Sequence, residues 1–268
     1  NRHIIVDLGA QPYLTVTVQT FIGAFVLIII GGKGTKSLES LKHPHTWLYS
    51  ALQIFMNMGT VASFVYITST QSMLLQRVNI IAGLIIGLIV LGRKINRYDF
   101  MGMAIIGCGI GTILSGLSLE SAIGGMIAVL FAAFCHIGRT HVAERHAVGG
   151  DVNTFSEHCR FVGYVLLSTS FVFLLLYIAG FKLGEIAPGV HWLPTSENSL
   201  TKNQLIVMTF VGLILTPVAK YCFFKSAKHL KTENFLVLTA YIPVITLAVQ
   251  RVASYIGFLP SLDFSIQD

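Results

Sequence analysis

Phe161–Phe181 reads FVGYVLLSTSFVFLLLYIAGF, without a charge and without a proline. A helix needs about 20 apolar residues to cross the hydrocarbon core of a bilayer. The stretch meets that length and lacks the strict alternation of an outer-membrane strand. With no water to satisfy the backbone in lipid, a helix follows. Seven further segments qualify or nearly so: Tyr13–Ile30, Trp47–Tyr66, Ser72–Leu91, Phe100–Leu117, Ala122–Ile137, Leu205–Phe224 and Phe235–Phe258. The prediction is an all-α membrane protein.

Composition agrees. Of the 268 residues, 54 % are apolar and only 11 % charged, against about 25 % charged in soluble domains. Mean hydropathy is +0.73. There are too few polar residues to cover a soluble surface. The net charge of +6 belongs to basic loops at one membrane face; no basic run with interleaved aromatics suggests nucleic acid. Cys108, Cys135, Cys159 and Cys222 lie far apart in or beside apolar segments, so neither a disulfide framework nor a zinc site is expected. No cofactor is implied, and the expected partners are the lipid bilayer and a small-molecule substrate, with the protein a monomer or homodimer.

Loop charge sets the orientation. Lys33, Lys36, Lys42, Arg93, Lys94, Arg97, Arg139, Arg145, Lys225, Lys228 and Lys231 are assigned to connections on one side, and only Arg2, Lys182 and Lys202 to the other. The positive-inside rule puts the first group in the cytoplasm, making the chain multi-pass in the cytoplasmic (inner) membrane. The long outer connection, Lys182–Gln204, carries Pro188, Gly189, Trp192 and Pro194 and reads as a linker or a lid. The chain begins at Asn1 without a signal-peptide pattern. One further helix at each end would give ten spans with both termini inside.

Two hairpins resemble each other. Phe64–Gly87 reads FVYITSTQSMLLQRVNIIAGLIIG, and Phe223–Val249 reads FFKSAKHLKTENFLVLTAYIPVITLAV. Each joins two long apolar stretches through a short polar turn. The turn at Thr68–Ser72 has no cation, whereas Lys225–Lys231 has three. Matched hairpins with opposite charge character indicate halves inserted upside down relative to each other, as in transporters whose substrate site lies at the repeat interface. The alternative is two unrelated hairpins of a helical bundle.

The stretch from Tyr66-Ile-Thr-Ser-Thr-Gln-Ser-Met-Leu-Leu to Leu91-Gly92-Arg93-Lys94-Ile95, then Asp99, Met101-Gly102 and Gly107–Gly111, resembles the drug/metabolite transporter superfamily in its EamA-like branch. That pattern is a small or polar turn, an apolar helix, Leu-Gly-Glu-Arg and a Gly-rich helix. Thr239–Pro243 with Val244 resembles the family's proline-containing ninth helix. Arg93 replaces the usual Glu, and the usual Pro of the fourth helix is absent near Asn79 and Ile80. The resemblance implies a bundle of about ten transmembrane helices from two inverted five-helix repeats, eight to nine of them visible. Residues 1–118 would be the first repeat (helices 2–5) and 119–268 the second (helices 6–9). It also implies alternating access and substrates such as amino acids, nucleotide-sugars or other metabolites.

Ionisable and polar groups inside a bilayer are costly and mark pathways. None of the twelve acidic residues lies deep in a span, so no buried carboxylate relay is visible. Arg77, beside Gln76, lies about 7 Å in from Ser72 at 1.5 Å per residue. Its fork suits a carboxylate or phosphate, or else snorkels to headgroups. Lys220, one turn after Pro217, and Arg251 face the same two choices. Gln53, Asn57 and Thr60 share one helical face, as pore lining or as interhelical hydrogen bonding. His136 is a proton carrier or a structural partner. Tyr164 and Tyr241 are candidates to stack on or hydrogen-bond a substrate. Gly83/Gly87 and Gly107/Gly111 are read as close-packing pairs.

The sequence thus points to a non-enzymatic secondary carrier of a small anionic or zwitterionic metabolite, amino-acid-like or nucleotide-like. The rivals are a membrane-embedded lipid-modifying enzyme, whose only clustered acids and histidines are His141, Glu144, His146, Glu157 and His158, and a non-transporting receptor. No GxSxG, HExxH or GxxxxGK[ST] motif is present.

Overall fold

The computed structural model describes residues 12–34, 36–64, 66–89, 92, 96–186, 201–230 and 232–239. Among them every regular element is helical: α1 (Pro12–Gly31), a 3₁₀ turn (Lys36–Lys42), α2 (Pro44–Ser63), α3 (Ser69–Leu75), α4 (Val78–Ile89), α5 (Arg97–Ser115), α6 (Leu119–Glu144), α7 (Ala147–Asp151), α8 (Phe155–Ile186), α9 (Lys202–Phe210), a π-helical turn (Val211–Leu215), α10 (Thr216–His229) and α11 (Thr232–Thr239). Six stretches are long and apolar enough to cross a membrane: α1, α3 with α4, α5, α6, α8, and α9 through α10. The 20-residue α2 is diluted by its polar stripe, yet it lies in the bundle against α6 and α8. Of the segment predicted over Phe235–Phe258, only the part up to Thr239 is described. Tyr241 and Arg251 lie outside the described residues.

The distribution of side chains is that of a membrane protein. Large apolar groups face outward, as in Ile29 (74 % exposed), Ile105 (70 %) and Ile127 (64 %). Polar groups turn inward and find one another. Ser50 Oγ meets Ser168 Oγ at 3.1 Å and Thr169 Oγ1 at 3.0 Å, joining α2 to α8, and Ser170 Oγ donates to Thr20 Oγ1 at 3.0 Å, joining α8 to α1. Where lipid removes the hydrophobic drive between helices, such bonds and close packing hold the bundle. Gly163 permits the α1–α8 contact, since a Cβ there would lie 3.0 Å from the Ala24 carbonyl oxygen.

Helix ends are locally encoded. Thr68 with Gln71, Asn96 with Asp99, and Thr201 with Gln204 form reciprocal capping boxes at the starts of α3, α5 and α9. Gly32, at φ +63°, turns the chain out of α1 while its N–H still bonds the Ile28 and Ile29 carbonyls. The guanidinium of buried Arg160 donates to the Gly31 carbonyl and, at 2.9 Å, to that of Lys33. It thus caps the negative end of α1 from α8.

Several expectations change. α6 runs seven residues past Ile137, so Arg139 is a buried helical residue and not a loop cation, and α10 runs to His229, so Lys225 and Lys228 are helical as well. α8 continues to Ile186 and α9 begins at Lys202, so both ends of the expected Lys182–Gln204 linker are helical. The span predicted over Ser72–Leu91 is interrupted at Gln76–Arg77, where Asn79 and Ile80 N–H reach back only three residues. Gly107 and Gly111 face open space, so that pair serves no close packing among the described residues. A Cβ at Gly83, in contrast, would lie 2.6 Å from Leu236 Cδ1 of α11.

Candidate functional site

The interruption between α3 and α4 opens onto a cavity of about 420 Å³, bounded also by α6, α10 and α11. Gln76, Arg77 and Asn79 reach it from the interruption, His136 and Arg139 from α6, Phe223 from α10 and Thr239 from α11. Two guanidinium groups stand in its walls, and among the described residues none of the lining side chains is acidic.

The chemistry is organised around one amide. Gln53, buried in α2, offers its Oε1 to the Arg139 guanidinium and, at 3.0 Å, to the Lys220 ammonium. Two cations therefore share one neutral acceptor. Arg139 also lies over the Phe223 ring, 4.6 Å from its centroid, and 5.9 Å from the centroid of Tyr49. Aromatic faces attract a cation but do not neutralise it. Arg77 donates to the Thr239 carbonyl at 2.7 Å, tying the helix break to the end of α11. Gln76 Nε2 donates to Thr60 Oγ1 at 3.2 Å, tying it to α2. Asn79 Nδ2 and His136 Nδ1 lie 3.0 Å apart.

Three buried atoms of this wall have no hydrogen-bond partner: Arg77 Nε, Arg139 Nε and Asn79 Oδ1. Orphaned donors on two guanidinium groups, in a space with room for a small molecule, suit an anionic ligand presenting planar or tetrahedral oxygens.

The sequence-derived residues fall into three groups. Gln76, Arg77 and His136 line the cavity, and Gln53, Thr60 and Lys220 support it through the bonds above. Asn57 is half-buried on the face of α2 that carries Gln53 and Thr60. Tyr164, on α8, is not among the lining side chains. Arg139, Asn79 and Phe223 were missed. The available signal for Arg139 was its position one turn after His136, which continues the polar stripe of α6 beyond the apparent end of the apolar run.

A groove of about 480 Å³ between α2 and α6, lined by Met58, Tyr66, Ile127 and Phe131, is larger. It carries no charged group and includes outward-facing side chains, so it has no comparable chemistry.

The acids and histidines of the enzyme alternative are engaged in local contacts. Glu144 accepts from the Thr232 backbone N–H at 3.0 Å and lies 3.7 Å from His141. Glu157 accepts from Thr154 N–H in the cap of α8. His146 pairs with Thr46 Oγ1 at 3.0 Å, and His158 packs on the Tyr221 ring. Burial, then the neighbouring His45 and His43, pull the His146 imidazole down to about 4. No group of three or more His, Cys, Asp or Glu among the described residues is placed to hold a metal ion. No family model matches the chain, and no curated protein sequence matches it.

Proposed function

We propose that this chain is a secondary transporter of small organic anions, working by alternating access around the cavity between α3/α4, α6, α10 and α11. The observation that carries the reading is the sharing of Gln53 Oε1 by Arg139 and Lys220, beside Arg77, with no acid among the described residues of the cavity wall. Cations placed at membrane depth without counter-ions mark the path of a charged substrate. The substrate then supplies the missing negative charge, as a carboxylate or phosphate.

Helix pairing supports two inverted halves. A two-fold relation that exchanges α1 with α8, α2 with α9–α10 and α4 with α11 maps the α1–α8 and α4–α11 contacts onto themselves. It also converts the α2–α8 contact into the α1–α10 contact, and these are present, whereas the α8–α10 and α10–α11 contacts have no counterparts of like extent between α1 and α2 or between α2 and α4. Each half carries one irregular span, although the exchange does not pair the two: the interruption at Gln76–Arg77 before α4 and the π-helical turn before Pro217 between α9 and α10. Broken helices at the binding site are the usual construction of inverted-repeat carriers, and a proline preceded by a π turn is a natural bend. Ten helices, the drug/metabolite transporter relationship and a cytoplasmic membrane with the basic loops inside complete this reading.

The test is a thermal-shift screen of purified protein with amino acids, nucleotides and sugar phosphates, followed by counterflow in proteoliposomes with the strongest ligand. Stabilisation by an anion, with labelled anion accumulating in preloaded vesicles, supports the carrier. Binding without flux turns it into a receptor.

A further inference from the structure

A second polar cavity lies at the end of the bundle where α8 begins and α10 ends. It measures about 230 Å³ and is lined by residues of three kinds: the turn Val152–Thr154 with Phe155, the rings of His158 and Tyr221, and the cations Lys225 and Lys228 with His229. Its floor is ordered. Lys228 Nζ donates to the Val152 carbonyl at 2.6 Å, and Lys225 Nζ lies 5.6 Å from the Tyr221 centroid. His158 is only 6 % exposed, and its Nε2 is buried without a hydrogen-bond partner. A buried imidazole nitrogen left unpaired costs free energy that a ligand would recover. The nearest acid along α8, Glu157, is engaged with Thr154 in the helix cap. Beside the imidazole stand two ammonium groups and the first turn of a long helix, whose positive end favours anions.

We infer that this cavity is a separate site for a phosphate group, held by His158, Lys225 and Lys228 at the basic end of the bundle. The ligand chemistry is that of a phosphate monoester, whether in solution or on an acidic lipid. The inference does not depend on transport. The substrate cavity draws on Lys220 and Phe223 of α10, and this one on Tyr221, Lys225 and Lys228 of the same helix, so ligand here also braces α10 against α8.

Inorganic phosphate is titrated onto the detergent-purified full chain at constant ionic strength, with thermal unfolding as readout. In parallel, the chain is reconstituted in phosphatidylcholine nanodiscs with or without phosphatidic acid. Wild type is expected to show saturable stabilisation in at least one arm. Both Lys225→Gln, which changes an exposed side chain, and His158→Gln with Lys225→Gln together should weaken that response at least tenfold. Lys33→Gln, which removes an exposed cation lining neither cavity, should leave it in place. A response to phosphatidic acid alone identifies a lipid headgroup; a response to inorganic phosphate identifies a soluble source; either supports the site. No response in both arms overturns it, as does a response that Lys225→Gln leaves unchanged. Loss of the response in Arg139→Gln with retention in Lys225→Gln also overturns it, and assigns phosphate to the central cavity.

Discussion

Replacing Gln53 by Glu puts a carboxylate where a neutral amide oxygen now accepts from both Arg139 and Lys220. Both cations are already held in the bundle, so the variant adds only the desolvation of the new carboxylate. Those bonds are already charge-assisted through their donors, so the gain is the attraction of a full carboxylate charge, about 4 kcal/mol per cation at an effective dielectric of about 20, set against several kcal/mol of carboxylate desolvation, for a net gain of about 1 kcal/mol. For a chain of this size that raises Tm by about 3 °C. The substrate sees the opposite sign. At an effective dielectric of about 20, a second negative charge about 7 Å from the bound anion costs about 2.4 kcal/mol, or roughly fifty-fold in affinity. The assay pairs thermal unfolding without ligand with titration of the strongest ligand from the screen. Gln53→Ala, which removes the acceptor and supplies no charge, should lower Tm. A Gln53→Glu protein that is less stable than wild type, or that binds the anion equally well, would refute the reasoning that these cations lack a counter-ion.

Other outcomes follow from the same geometry. Arg139→Lys keeps a charge but loses the fork and its fit over the Phe223 ring, so transport should fall about tenfold, and Arg139→Ala should lower it about a hundredfold, measured as initial uptake rates. Arg77→Ala should cut transport with little change in expression, because Arg77 lines the cavity and holds the Thr239 carbonyl; unchanged uptake would remove it from the mechanism. Gly163→Val should destabilise the α1–α8 contact by about 1–3 kcal/mol, read from unfolding in detergent, because even a Cβ would press on the Ala24 carbonyl. His146 has its folded pKa lowered from 6.5 to about 4, so the unfolded chain binds the extra proton. Its contribution to stability is complete above about pH 6.5 and is lost as pH falls toward 4. His146→Gln should flatten that part of a Tm-against-pH curve.

The bilayer makes part of this fold legible. A span must be long and apolar, so Phe161–Phe181 and Tyr13–Ile30 declare themselves, and α8 and α1 are found there. What the bilayer requirement does not encode is where a helix stops once it is shielded by protein. Ala122–Ile137 satisfies the membrane, but α6 continues to Glu144 because Gln53, Tyr49 and Phe223 receive Arg139 in the interior. Reading Arg139 as a loop cation hid the most heavily engaged charge of the cavity. The break at Gln76–Arg77 contains neither glycine nor proline. It is secured by Thr60 and by the Thr239 carbonyl, partners distant in sequence, so local propensity carries no trace of it. The glycine pairs make the same point: one spacing meets Leu236 at Gly83 and open space at Gly107, since spacing selects a face but not its neighbour. Arg77, His136 and Lys220 were recoverable because a polar group inside an apolar run is conspicuous wherever it points.

Cys222 provides the most direct test, because it is exposed and belongs to the lining of the central cavity. With Cys108, Cys135 and Cys159 replaced by Ser, a membrane-impermeant thiol reagent is applied separately to each side of oriented proteoliposomes. Alternating access predicts modification from both sides, each slowed by the bound anion. Modification from a single side under every condition, indifferent to the anion, would contradict a carrier.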